Sequence, residues 1–287
     1  MDQEQNIEYI SLKNDLLFHM VFTRNNAALK ALLSVLLGIP EAEIEQIEVL
    51  NPLQYSEIIH TKLTILDLKV HLNGKDYILV EMQVRKFEAW TNRTLAYASR
   101  AVADQIHDNF DYEKLEPVIL ISIMDYSLFP EHRRFFAKYT PRDEEGFEYT
   151  DKLRFYVLDL TQIGAATEAQ KRQGLVEWAK AFRAGSWTEV NSIENFGVKE
   201  AAKTMEVIMA NPMEREMIRM RAEAESDWET QISFAEKRGE KRGEKRGEKR
   251  GAEKSRLKMA GGMKREGIAP EIIAKISGMT LEEINAL

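Results

Sequence analysis

Two apolar stretches joined by a turn constrain this chain more than any other feature. They are "KLTILDLKVHL" (62–72), the turn "NGK" (73–75) and "YILVEMQV" (77–84). The first alternates, with Leu66, Leu68, Val70 and Leu72 on one face, and the second is almost continuously apolar. Asn-Gly between two such runs is a strong hairpin signal. Each strand also carries one acid inside its apolar run, Asp67 in the first and Glu81 in the second. Side chains alternate along a strand, so Gln83 points the same way as Glu81. Burying an unpaired carboxylate is expensive, so both acids need a partner.

A divalent ion between the two would meet both needs. Mg²⁺ is a hard cation that takes carboxylate oxygens and keeps several waters, leaving room for a substrate phosphate. Register tests the idea. A two-residue turn on Asn73-Gly74 pairs Leu72 with Lys75, and Asp67 and Glu81 then emerge on opposite faces. A three-residue loop pairs His71 with Lys75 and puts both acids on one face. The metal site needs that register, or another of equal parity. The competing reading keeps the acids separate, at strand ends or in ion pairs with Lys62, Lys69, Arg85 or Arg93.

The rest of the chain alternates helical and strand patterns. Residues 12–38 read as a helix stopped by "GIP", 44–50 as a first strand, and 88–109 as a helix with Leu95, Val102 and Ile106 toward a core. Residues 116–125 and 152–160 read as two more strands, and 165–235 as helical with a break at Pro212. This is an α/β pattern followed by an all-helical C-terminal region. The expected organisation is a core over 1–163, a helical region over 164–235, a basic segment over 236–251 and a small helical hairpin over 252–287.

Four copies of "EKRG" fill 236–251. Glycine every fourth residue costs about 1 kcal/mol each against alanine in a helix, so the segment reads as a frayed helix or a flexible basic linker. Between Glu236 and Arg265 stand thirteen Lys/Arg against five Glu, a surplus of eight positive charges. The net charge of −7 therefore leaves fifteen negative charges elsewhere. A basic arm on an acidic body suits either a solvated spacer or phosphate contact. At the end, Pro270 fits a helix start, Gly278 a C-cap, and Thr280 with Glu283 a capping box. Ile272, Ile273, Ile276, Leu281, Ile284 and Leu287 would form one apolar face, for docking, self-association or DNA reading.

Several chemistries lack support. There is no cysteine, hence no disulfide or thiolate metal site. The five histidines have no zinc-ligand spacing, and neither a phosphate-binding loop nor a nucleophile elbow occurs. The start "MDQEQNIEYI" is unlike a signal peptide and no apolar run is long enough to span a bilayer, so the expectation is a cytoplasmic protein with no membrane partner.

Four stretches together resemble the PD-(D/E)XK nuclease family transposases, also called recombination-promoting nucleases. They are "LKNDLLFHMVFT" (12–23), "HTKLTILDLKVHLNGKDYILVEMQV" (60–84), "RTLAYASRAVADQI" (93–106) and "YEKLEPVILISIMDY" (112–126). The resemblance runs from about residue 8 to 160, and the helical tail with its Arg/Lys/Gly/Glu repeats also looks like that family's ending. It implies a restriction-endonuclease-like core, a mixed sheet flanked by helices, with Mg²⁺-dependent DNA endonuclease activity in recombination or mobile elements. Asp67 stands at the family's central Asp, Glu81 at the acid of its E-x-Q variant, and Gln83 where the parent motif has lysine. Asp15 matches an acidic residue of the first helix. The implied site is therefore Asp67 and Glu81 on metal, Gln83 orienting the water and Asp15 beside them. Lys62 and Lys69 are candidates for DNA contact, with Arg93, Tyr97, Arg100 and Gln105 from the next helix. Leu66 replaces the parent motif's proline, which the chemistry does not require. Glutamine orients a water but brings no charge, which leaves room for a nearby cation, Lys69 or Lys62, to supply it. The other reading is a catalytically silent nuclease fold that binds DNA or a protein, with the helical tail assembling a homo-oligomer.

Overall fold

The computed structural model describes residues 7–50 and 68–287. Asp67 and Lys62 therefore lie outside the described residues. The chain divides into two compact units, Met1–Arg221 and Ala222–Leu287.

The first unit is a six-stranded mixed sheet with flanking helices, consistent with a restriction-endonuclease-like fold. Its strands are β1 (Ile47–Val49), β2 (Leu68–Leu72), β3 (Asp76–Gln83), β4 (Val118–Met124), β5 (Phe136–Tyr139) and β6 (Leu153–Asp159). Their order in the sheet is β1-β2-β3-β4-β6-β5. β1, β2 and β3 form an antiparallel meander, while β3, β4 and β6 run parallel. Parallel neighbours need a crossover, and α3 (Trp90–Ala103) supplies the one from β3 to β4. β5 is an edge strand paired antiparallel to β6, and the sequence reading did not include it.

The expected 12–38 helix is two helices, α1 (Asp15–Arg24) and α2 (Asn26–Leu37), because Asn25 intervenes in an extended conformation. Its side chain accepts from Ala28 N–H and donates to the Glu200 carbonyl and Thr204 hydroxyl, so one residue ends α1, starts α2 and ties both to a later helix. Further helices follow: α4 (Glu168–Arg172), α5 (Leu175–Arg183), α6 (Trp187–Asn191), α7 (Phe196–Ala210) and α8 (Pro212–Arg265). Pro212 is the first residue of α8, where its missing N–H costs nothing.

The two faces of the sheet are covered differently. Leu68, Val70, Leu72, Ile78, Val80, Ile119 and Ile121 pack into a large core with α1, α2, α5 and α7. At its tightest point α2 meets α7: a Cβ on Gly197 would lie 2.4 Å from Ala31 Cβ and 2.9 Å from the Trp178 ring. The opposite face packs Leu79, Val118 and Leu120 against Ala98 and Ala101 of α3, with half-buried Tyr97 and, as expected, Val102 beside them. Here the sequence reading is corrected. Leu95 and Ile106 are exposed, and α3 meets the sheet through Trp90, Thr94, Ala98 and Ala101. Small residues let the helix lie close.

In the second unit the EKRG copies lie within α8, and α9 (Pro270–Ser277) and α10 (Leu281–Asn285) follow. Pro270 opens α9, Gly278 ends it in the left-handed region, and Thr280 and Glu283 form the reciprocal capping box. The expected apolar face is split. Ile273 and Ile284 are buried with Ala260 and Met279, whereas Ile272, Ile276, Leu281 and Leu287 are exposed. Among the described residues no helix is long and apolar enough to cross a membrane.

Candidate functional site

The turn that decides the register is neither of the two expected. Leu72 pairs with Asp76 across a three-residue loop, Asn73-Gly74-Lys75. Both Asn73 (φ 53°) and Gly74 (φ 61°) are left-handed, a conformation these residue types tolerate best. The Asn73 side chain is tied elsewhere: its oxygen accepts from the Glu45 and Gln46 N–H groups and its nitrogen donates to the Glu43 carbonyl. That anchorage holds Asn73 out of the ladder and lengthens the loop by one residue. The parity is nonetheless the one that a shared metal requires. His71 pairs with Tyr77 and Lys69 with Leu79, so odd-numbered residues of both strands share the face that carries Glu81. Asp67, next in sequence before Leu68, is outside the described residues.

Glu81 sits near the C-terminal end of β3, opposite Ser122 of β4 and therefore on the α3 face. Ligand sites of open α/β sheets collect at this end of the strands. The carboxyl is buried, and among the described residues its Oε1 has no hydrogen-bond partner. Burial pushes its pKa up from the ordinary 4.5 to about 7, partly opposed by the Arg93 charge and reinforced by that of Asp15. Above it α3 contributes Trp90, whose indole N–H donates to Ser122 Oγ (3.1 Å), and Thr94, whose hydroxyl donates to the Trp90 carbonyl. Such a buried, partnerless carboxylate oxygen is what a hard divalent cation would use. Among the described residues no cluster of three or more His, Asp or Glu is arranged to hold a metal.

The rim of the site is made of paired charges. Gln83 donates to the Arg85 carbonyl (2.8 Å), and its own carbonyl accepts from Asp125 N–H (3.0 Å). The Asp125 carboxylate holds Lys13 at 2.7 Å. Asp15, in the first turn of α1, accepts both Nε (3.1 Å) and Nη2 (3.0 Å) of Arg221, which the first turns of α8 deliver. Sequence reasoning named neither Arg221, Lys13 nor Asp125. Nothing local marks a pairing across more than a hundred residues. It also passed over buried Asp159 at the end of β6, which accepts from the Ser127 and Thr161 hydroxyls at 2.6 Å each.

The remaining expected residues divide into two groups. On α3, Arg93 donates from Nε to the Tyr97 hydroxyl (2.9 Å), and its guanidinium lies 5.3–5.8 Å from the rings of Phe87, Trp90 and Tyr97. Lys69 is on the Glu81 face and engaged in an interaction of its own. Gln105 is turned inward to a clamp instead, exchanging hydrogen bonds with the Glu116 backbone (3.0 and 3.2 Å) and so fastening the end of α3 ahead of β4. Arg100 is exposed, with Asp104 at 4.0 Å. His71 stacks on Tyr77 and bonds Glu116 at 2.7 Å, away from Glu81 at the other end of the strand.

A family model described as PD-(D/E)XK nuclease family transposase matches residues 12–235. The match continues past the sheet through α7 and into α8, so it takes in Arg221. No curated protein matches the chain, and no solved structure does.

Proposed function

The chain belongs to the PD-(D/E)XK nuclease family transposases, and from that premise we propose that it is a metal-dependent endonuclease that hydrolyses DNA phosphodiester bonds. The observation that carries this reading is Glu81: a buried carboxylate with a partnerless oxygen, at the C-terminal end of a parallel strand. Structural acids of that burial are normally bonded, as Asp159 is.

In this reading Asp67 and Glu81 hold a divalent cation, Mg²⁺ being the choice that suits all-oxygen donors. When bound, the ion supplies a Lewis acid that favours hydroxide over water and takes up charge on the phosphate. Water attacks phosphorus and gives up a proton to solvent, a new P–O bond forms, the bond to the leaving oxygen breaks, and the leaving oxygen takes a proton from solvent. Gln83 orients that water by hydrogen bonding, and Asp15 lies beside the metal ligands. Lys62, Lys69, Tyr97 and Arg100 are the residues proposed to contact the DNA backbone, and recombination or mobile-element activity is the setting that this family suggests.

Gln83 favours one second reading, because a neutral amide stands where lysine is expected. A silent nuclease fold would bind DNA without cutting it. Plasmid cleavage in Mg²⁺ decides between them, comparing the wild type with Asp67→Ala and Glu81→Ala. Wild-type cutting, lost in both variants while DNA binding remains, supports the nuclease. Binding with no cutting by any of the three supports the silent fold.

A further inference from the structure

Gln83 leaves the proposed site short of a positive charge, and the cations around Glu81 are not equivalent. Lys13 is committed to Asp125 at 2.7 Å and Arg221 to Asp15 at 3.0 Å. Lys69 is engaged as well. Arg93 differs from all three. Among the described residues no carboxylate lies within ion-pair distance of it. Its guanidinium is held by the rings of Phe87, Trp90 and Tyr97 and by one hydrogen bond to the Tyr97 hydroxyl. An aromatic surround fixes an arginine without neutralising it. That surround is itself fixed, since Trp90 is buried and bonded to Ser122, directly opposite Glu81 on the neighbouring strand. The charge of Arg93 is felt at the Glu81 carboxyl, where it works against the effect of burial. Among the described residues the site thus contains a buried carboxylate oxygen without a hydrogen-bond partner and, on the same face, a cation with no carboxylate at ion-pair distance.

We propose that Arg93 supplies, from the helix, the positive charge that a lysine two residues after Glu81 would bring from the strand. This rests on the nuclease reading above. A guanidinium is a hydrogen-bond donor with no acceptor, so its part here is charge and not transfer of the attacking water's proton. It offsets the negative charge that grows on the phosphate oxygens as the new P–O bond forms and the leaving bond breaks, and Gln83 orients the water. The lysine's two tasks, charge and orientation, are divided between two residues.

The test is rescue. Cleavage of a supercoiled plasmid in Mg²⁺ and the Kd for the same DNA in Ca²⁺ would be measured on the full chain. The proteins are the wild type, Arg93→Met, Arg93→Lys, Gln83→Lys with Arg93→Met, and Glu81→Gln. Arg93→Met is expected to lose about 100-fold in cleavage rate, the scale of removing one charge-stabilising group, while the Kd changes by less than about threefold. Arg93→Lys is expected to retain more activity than Arg93→Met. The decisive expectation is that Gln83→Lys restores at least about tenfold to Arg93→Met, which a purely structural role for Arg93 does not predict. If Arg93→Met melts early, the same rescue is read on Arg93→Lys. The proposal is overturned if the cleavage loss only tracks a weakened Kd, which makes Arg93 a phosphate contact, or if Gln83→Lys restores nothing in a folded protein. Glu81→Gln separates the two levels. If it cuts like the wild type, the nuclease site itself is misassigned and this proposal falls with it. If it is dead while Arg93→Met is fully active, only the role of Arg93 falls.

Discussion

The two faces of the sheet use the same strands for opposite ends. One face sets Val70, Ile78, Val80, Ile119 and Ile121 against four helices in a large apolar core. The other sets Leu79, Val118 and Leu120 against Ala98, Ala101 and the half-buried Tyr97 and Val102 of a single helix, and its next row carries Glu81 and Ser122. Alternation makes this possible, because adjacent residues of one strand answer to different neighbours. The first face supplies rigidity and stability. The second spends some of it on a carboxylate that burial disfavours.

The largest expected effect tests the first face. Phe22 is fully buried between Phe18 and Trp178. Phe22→Ala is expected to cost about 3–5 kcal/mol, read as a shift in the denaturant midpoint. The second effect has the opposite sign. The folded Glu81 carboxyl keeps its proton to about pH 7, whereas the unfolded one loses it near 4.5. The folded state therefore binds more protons between those values, and metal-free stability falls as pH rises through that window, by up to about 3 kcal/mol, then levels off. Glu81→Gln is expected to abolish this slope and to be the more stable protein at pH 8. Urea unfolding at pH 5 and pH 8 measures both, and identical slopes in the two proteins would contradict the assignment of strain to this residue. Third, Gly197→Ala drives a methyl into Ala31 and Trp178 and is expected to cost about 1–3 kcal/mol. The smallest effect returns to the α3 face. Ser122→Ala leaves the buried Trp90 N–H without its acceptor, for about 1–2 kcal/mol in thermal melts.

How much of this was legible in the sequence follows the range of the interactions involved. The hairpin, Glu81's burial and the caps around Gly278 and Thr280 are local, and the sequence states them directly. The three-residue loop came out one residue further along than expected, on Asn73-Gly74-Lys75, with Asn73 bonded to residues 43–46, a contact no turn rule contains. Leu95 and Ile106 looked like the buried side of this helical stretch, yet both are exposed, and α3 meets the sheet through Trp90, Thr94, Ala98 and Ala101. The family resemblance is what singled out Asp15, Glu81 and Gln83 as candidates. It left Arg221 and Lys13 unseen because their partners lie 206 and 112 residues away. Gln105 shows the converse. It matches a family pattern and in the fold fastens α3 to the approach of β4.

The claim that the polar face is a nuclease site rests on Glu81 more than on any other residue. Plasmid cleavage in Mg²⁺ by the wild type and by Glu81→Ala, with DNA binding measured alongside, tests it most directly. The account predicts wild-type cutting that falls by at least about 100-fold in the variant, with binding retained. Equal cutting by the two proteins would contradict it.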